Sequence, residues 1–372
     1  MAYSAAKVLA YRVHSQQLDR AGRHRPTDVA ALDLGVQDTG RDGAGWALVN
    51  RGVDPGQVAD PAGDLVLAWT LRGAPHVYRR ADIAGVAAAT APFSEADAAK
   101  RIFDAARPLR AAGIDVLEAL DVVARQMQSI VIAPTVKGDL SSALTDRLDA
   151  PYLRYCRPCA ATHCYEQPFR LAALRVGLEL QPDTSPPVLQ RIAGWGGPAA
   201  SVPASLDVVR AYLHLLGPAT PKQVAAYVDA PVKDVKARWP EDAVEVSVAV
   251  DGSDSDETRW LLAEDRPALG EAAVDQGLVR LLSPFDLFLQ AKDRELLVPD
   301  PARRKQMWVV LGRPGAVLVG AQLVGTWRPR ASGRKLRLLV DTWAPVPDAA
   351  LAEQGERLAS YRGATYDGLA EH

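Results

Sequence analysis

The sequence predicts an α+β fold, with helical units through most of its length and a strand-rich closing quarter. Three observations predict it. Apolar residues recur at helical spacing, broken by caps, glycines and prolines, as far as about residue 280. The stretch from Asp207 to Leu262 reads helix, helix, helix, hairpin. After Leu282, short runs rich in Val and Leu alternate with glycine turns.

The elements follow in order. Residues 4–19 carry Val8, Leu9, Val13 and Leu18 on one helical face. Pro26 opens a second helical piece that ends near Leu34-Gly35, and Gln37-Asp38-Thr39-Gly40 is a polar loop before a helix over Ala44 to Val49. Leu65 to Leu71 reads as a strand ending in a basic turn, Arg72 to Arg80. Ser94 to Asp97 has the form of a capping box. Asp115 to Gln128 is helical, and the turn before Lys137 leads into a short amphipathic helix, a helix-turn-helix pattern. Thr220-Pro221 is an N-cap followed by proline at the first helical position. Glu245 to Val250 and Thr258 to Leu262 make a hairpin with its turn at Asp251 to Glu257, so this third unit reads as a winged helix. Runs at 309–311, 316–319, 322–327 and 335–343 then form a small antiparallel barrel or curled sheet, with a helix over Pro347 to Leu358 able to cover one side.

Composition bounds the function. At 372 residues and 48% apolar, the chain supports two to four ordered domains, and disorder as a class is excluded. No apolar run reaches the roughly 18 residues of a membrane span, and the start lacks a signal-peptide core, so the expected compartment is the cytoplasm. Three closely spaced cysteines give no disulfide framework. Net charge is only −2, yet Pro301 to Arg337 holds nine Lys or Arg and no Asp or Glu: Arg303, Arg304, Lys305, Arg313, Arg328, Arg330, Arg334, Lys335 and Arg337. Charge sorted in this way suits a polyanion, and phosphate contact competes here with a merely solvated surface.

Four further groups bear on chemistry. Gln37, Asp38 and Thr39 supply an amide, a carboxylate and a hydroxyl that can hold a water against an electrophilic sugar carbon; helix capping is the competing role. Arg72, His76, Arg79 and Arg80 offer phosphate contact or a solvated hairpin end. Lys137 begins the short helix of the second unit. Cys156-Arg-Pro-Cys159-Ala-Ala-Thr-His163 is a weak zinc pattern, against which stands a packed knuckle of buried thiols. No glycine-rich nucleotide loop, His-Glu-x-x-His or Gly-x-Ser-x-Gly is present, which removes the usual support for nucleotide-binding, metalloprotease and hydrolase readings.

Taken together, Gly35-Val36-Gln37, Leu71 to His76, Lys137 to Ser141, Cys156 to His163, Leu216 to Thr220 and Asp293 to Arg330 resemble the winged helix DNA-binding domain-containing proteins. That superfamily includes the azinomycin-resistance and interstrand-crosslink DNA glycosylases. The resemblance implies tandem winged-helix units at 1–92, 93–200 (with the Cys/His knuckle) and 201–280, then a C-terminal antiparallel β-barrel with a terminal helix at 281–372. It implies a basic channel around duplex DNA and removal of bulky N-alkylated purines, in repair or self-resistance. Nothing in the residues demands a metal or organic cofactor for that step, and a monomer is expected. The family's catalytic loop runs glutamine, apolar residue, then glutamine or aspartate. Gln37 matches its first position, while Asp38 and Thr39 depart from the second and third. Gln37 is then expected to position water and Asp38 to stabilise the cationic sugar. Arg72, His76, Arg79, Arg80, Lys137, Arg303, Arg304, Lys305, Arg328, Arg330, Arg334 and Lys335 are expected to contact DNA. A non-catalytic DNA-binding protein or regulator is the alternative reading.

Overall fold

Residues 2–58, 63–250 and 256–371 are described by a computed structural model. They sort into two units: Met1–Ala62, Arg210–Gln223 and Pro240–His372 form the first, and Gly63–Val209 with Val224–Trp239 the second.

The first unit starts at helix Ala5–Ser15, capped by the Ser4 hydroxyl, which accepts from the Lys7 N–H at 3.3 Å. The apolar face of this helix is buried as its spacing predicts, and Arg12 is buried with it. Its guanidinium donates to both Asp293 carboxylate oxygens, at 3.0 and 2.7 Å, and to the Gly217 carbonyl at 3.1 Å. Arg259 donates to the same carboxylate at 2.5 Å. A second buried fork joins Arg51 to Asp286 at 2.8 and 2.9 Å. Buried charges persist only when paired and hydrogen-bonded, and each of these aspartates is met by a bidentate arginine.

The C-terminal sheet has five strands in the order Val279–Leu282, Gly315–Val319, Gln322–Ser332, Lys335–Thr342, Thr365–Leu369. Of the two forms expected, an antiparallel barrel or a curled sheet, the barrel is corrected on two counts. The last strand runs parallel to Lys335–Thr342, because the chain between them forms helix Asp348–Tyr361 and a helical crossover returns a strand in the same direction. The sheet is also open: the ladder runs from Val279–Leu282 at one edge to Thr365–Leu369 at the other. The covering helix lies where the sequence placed it. Its Leu351, Leu358 and Ala359 join Leu281, Val317, Val324, Leu336 and Leu338 of the sheet, and Trp46 of helix Gly43–Val49, in one core. Val309-Val310-Leu311 is not a strand; Val310 and Leu311 are 94% and 87% exposed. Both flanks of the adjacent strand Gly315–Val319 are already paired, so the run has no edge to join.

Hairpin Ala243–Val248 with Glu257–Leu262 is antiparallel as predicted; of its expected turn, Asp251 to Glu257, residues 251–255 lie outside the described residues and Glu257 already belongs to the second strand. Thr220 and Gln223 cap reciprocally: the Gln223 N–H donates to the Thr220 hydroxyl at 3.3 Å and the Thr220 N–H to the Gln223 side-chain oxygen at 2.8 Å.

In the second unit the strands Pro75–Arg79, Leu65–Trp69, Leu178–Leu180, Val188–Arg191 and Thr135–Val136 pair antiparallel in that order. Helix Val116–Ile130 buries Val116, Leu120, Val123 and Met127 in a core shared with Leu140, Leu144 and Phe169. Helix Glu95–Arg101 begins with the predicted cap, the Ser94 hydroxyl accepting from the Asp97 N–H at 3.1 Å. A separate two-stranded hairpin, Leu153–Cys156 with Ala161–Cys164, carries the cysteines. Among the described residues no helix is long and apolar enough to cross a membrane.

Candidate active site

The loop 37–42 is held from three directions within the first unit. Strand Val36–Gln37 delivers it, with Gly35 in the left-handed region at φ 86°. Helix Gly43–Val49 follows it, and the Asp38 carboxylate accepts the Ala44 N–H at 2.9 Å, so Asp38 caps that helix's open N-terminal amides. A Cβ on Gly43 would overlap Asp38 Oδ1 and lie 3.0 Å from the Asp38 Cα, so glycine there lets the loop fold back onto the helix. Asp42 is buried and takes both prongs of the Arg362 guanidinium, one at 2.7 Å. The helix in turn is pinned to the sheet by the Trp46 indole N–H and the Asn50 amide, which both donate to the Leu281 carbonyl, at 2.5 and 2.9 Å.

Within the loop the Gln37 amide donates to the Thr39 hydroxyl oxygen at 3.0 Å. Thr39 thus has its oxygen anchored and its proton directed onward. Gln37, Asp38 and Thr39 are all half-buried.

Thr39, Gly40, Arg41 and Asp42 line one side of a cavity of about 430 Å³ whose walls include Arg313, Arg328, Arg330, Arg362 and Trp327. Gln37 and Asp38 do not line this cavity. Trp327 is fixed by its N–H to the Leu282 carbonyl at 2.8 Å. Gly315 across the ladder makes this possible, since a Cβ there would overlap the indole nitrogen and sit 2.5 Å from the same carbonyl. Arg313 stacks over Phe285 at 4.6 Å. The strand Gln322–Ser332 therefore brings Arg328 and Arg330 to the loop carrying Thr39. Arg41 and Arg362 join them and were not singled out by sequence. Arg41 sits two residues past Thr39, a nearness that could have flagged it, whereas nothing local marks Arg362.

The remaining predicted contacts are placed as follows. Arg303 pairs with Asp300 at 3.4 Å and lies over the Trp343 ring at 5.3 Å. Arg304 donates to the Val298 and Pro299 carbonyls at 2.9 and 2.6 Å. Lys305 and Arg334 are exposed, and Lys335 is exposed while facing Asp367 at 3.3 Å. Acid therefore flanks the acid-free stretch, through Asp300 just before it and Asp367 across the sheet.

In the second unit, Arg72 occupies a left-handed turn at φ 59°, donates to the Tyr227 carbonyl at 2.6 Å and stacks over the Tyr227 ring. His76 is buried, with Nδ1 beside the Ala74 carbonyl at 2.9 Å and the Thr70 hydroxyl at 3.1 Å. Burial, with Arg72 adding repulsion, pushes its pKa down to about 3, so the ring is neutral at ordinary pH. Arg79 pairs with Asp82 at 3.3 Å and Arg80 with Glu179 at 2.8 Å. Lys137 bonds Glu166 at 2.6 Å. Another cavity, of about 480 Å³, is lined by Lys100, Phe103, Arg107, Arg110 and three alanines, and holds no nucleophile or acid.

Cys156, Cys159 and His163 bring one donor atom each to within 4.8 Å of one another. The buried-knuckle reading fails for two of the three thiols, because Cys159 is exposed and Cys156 half-buried; only Cys164 is buried. A short hairpin tip cannot enclose its own side chains.

The family model described as DNA glycosylase AlkZ-like matches residues 31–361. That span includes the Gln37 loop and four of the five strands of the C-terminal sheet, and the chain belongs to the AlkZ-like DNA glycosylase family. Its fold is similar to that of the Streptomyces sahachiroi DNA glycosylase AlkZ, at a TM-score of 0.72 and 18% identity, covering 99% of this chain and 100% of that chain. No curated protein sequence matches the chain. The resemblance read from the motifs holds at the level of the family.

Proposed function

We propose that this glycosylase-family chain hydrolyses the N-glycosidic bond of N-alkylated purines in duplex DNA, for repair or self-resistance, acting as a cytoplasmic monomer. One observation carries the reading: Thr39, held by Gln37, sits on the wall of a cavity whose other side is Arg313, Arg328 and Arg330. A hydroxyl fixed at a phosphate-binding wall can meet a sugar carbon on a duplex whose backbone the arginines hold.

The chemistry balances without a cofactor. An N-alkylpurine is cationic, so the C1′–N bond breaks with its electron pair returning to the base, which leaves neutral. The sugar becomes oxocarbenium-like, water adds its oxygen at C1′, and the water's proton passes to the Asp38 carboxylate or to solvent. The products are the free alkylated base and an abasic site. Gln37 and Thr39 orient the water, and the Asp38 charge offsets the cationic sugar.

Tandem winged helices remain part of this reading, supported by the sequential order of helices Val208–Leu216, Pro221–Val228 and Val232–Lys236 before hairpin Ala243–Val248/Glu257–Leu262. A second reading, a non-catalytic DNA-binding protein, is favoured by one fact: an Asp38 oxygen is already used as a helix cap.

Single-turnover release of base from duplexes holding small or bulky N3- or N7-alkylpurines, read by alkaline strand scission, separates the two. Gln37→Ala and Asp38→Asn are expected to lower the rate at least ~100-fold, the scale of losing a positioned polar group, with duplex affinity retained. No release by the wild-type chain from any such duplex it still binds establishes the second reading instead.

A further inference from the structure

We propose that Cys156, Cys159 and His163 form a zinc site at the tip of hairpin Leu153–Cys156/Ala161–Cys164. The site lies in the second unit and its case is separate from the glycosylase reading.

The strand register makes the cluster. Cys156 pairs with Ala161 and Arg154 with His163, so the first thiol and the imidazole stand on neighbouring strands close to the turn. The turn itself returns Cys159 to them. Ala160, directly after it, adopts φ 50°, a left-handed conformation that costs a non-glycine residue about 1 kcal/mol, and its N–H bonds the Arg157 carbonyl at 3.2 Å. The tight turn leaves the three donor atoms within 4.8 Å of one another. A tetrahedral zinc ion with bonds of roughly 2.0–2.3 Å sets its donors about 3.7 Å apart, so small side-chain rotations complete the site.

The imidazole is also prepared for the metal. His163 Nδ1 lies 2.7 Å from the Cys164 carbonyl oxygen, which can only accept. Nδ1 therefore carries the proton, and Nε2 has the lone pair. Zinc-binding histidines are held in this way, the second nitrogen donating to a carbonyl or carboxylate that fixes the tautomer and ring orientation.

Donor chemistry selects the ion. Two thiols and an imidazole suit zinc and exclude magnesium and calcium, which take oxygen. On binding, each thiol releases its proton to solvent and both thiolates coordinate, so the ion's two positive charges are cancelled. Water completes the tetrahedron. A neutral site adds no attraction for phosphate. It works as a clip, closing the exposed tip of a two-stranded hairpin whose base alone, through Leu153 and Cys164, is packed into the core.

The test uses the full chain with its thiols shown to be reduced by intact-mass measurement. Metal analysis after dialysis against zinc is expected to give one ion per chain. Cobalt titration is expected to give intense tetrahedral visible bands and a near-ultraviolet thiolate band, both abolished by added zinc. Cys159→Ser, at an exposed position that leaves the core intact, and His163→Ala are each expected to weaken binding at least ~100-fold. Cys164→Ala, outside the cluster, is expected to bind normally. Substoichiometric zinc in the reduced wild-type chain, cobalt spectra without the thiolate band, or undiminished binding by Cys159→Ser overturns the assignment.

Discussion

Gly43 shows how much a single position decides. With no side chain it admits Asp38 against the first turn of the next helix, and any Cβ collides with the Asp38 carboxylate. Gly43→Ala is therefore expected to displace the loop and lower base release by at least ~10-fold, with a cost in unfolding free energy of about 1–3 kcal/mol, the range of an overpacked site. A variant with unchanged turnover would show that the loop's position does not matter for chemistry. Two histidines act on stability in opposite directions. His214 Nδ1 bonds the Asp265 carboxylate at 2.9 Å, and this bond raises its pKa, against the effect of burial. A raised folded value means its contribution is complete below the unfolded pKa of ~6.5 and is lost as pH climbs through the folded value. His214→Gln is thus expected to destabilise the protein near pH ~5.5 and to matter much less near pH ~9, read from urea midpoints. His76, pushed down to about 3, contributes stability above the unfolded value and loses it as pH falls towards 3. The wild-type stability curve should fall on the acid side for this reason, and His76→Asn should flatten that fall; an unchanged slope would mean that the ring is not buried as neutral imidazole.

At the level of elements, the sequence exposed what is local. The Ser94 and Thr220 caps, helix Val116–Ile130, hairpin Ala243–Val248/Glu257–Leu262 and the covering helix Asp348–Tyr361 each follow from residues within one or two turns of each other. The parallel last strand does not, because its partner is set by a crossover and its own run, Thr365–Leu369, is short and polar. Val309 to Leu311 misleads for the opposite reason: an apolar triplet looks like a strand, but the strand it adjoins, Gly315–Val319, is already paired on both flanks. The candidate site was half legible. Gln37 and Thr39 stood out by residue type, and Arg328 and Arg330 by charge. That Thr39, Arg328 and Arg330 share a cavity with Arg41 and Arg362 depends on tertiary folding, and the pairing of Arg303 and Lys335 with acids depends on Asp300 and Asp367 outside the acid-free stretch. The Asp293 stretch, conspicuous in the sequence without an evident role, is the acceptor for two buried arginines. Asp293→Ala leaves both uncompensated and is expected to cost about 3–5 kcal/mol in urea unfolding; a loss under ~1 kcal/mol would show that the arginines find water or other partners.

For the molecule as a whole, a net charge of −2 leaves polyanion binding to a local group of positive residues, and Arg41, Arg313, Arg328, Arg330 and Arg362 form one around the cavity beside the C-terminal sheet, with Asp42 among them. Duplex affinity is expected to fall steeply with salt. The Arg328→Gln/Arg330→Gln double variant is expected to reduce the magnitude of the log–log salt slope by about 2, close to one unit for each phosphate no longer neutralised. An unchanged slope would place the duplex elsewhere. The Asp42–Arg362 pair has an effect in time as well as space. It ties the loop to a residue 320 positions downstream, so the clasp cannot close until Arg362 has been synthesised. Nascent chains halted before Arg362 should therefore carry Gln37 and Thr39 on a loop that lacks this one anchor, with its own Gln37–Thr39 bond and its contact to the following helix in place.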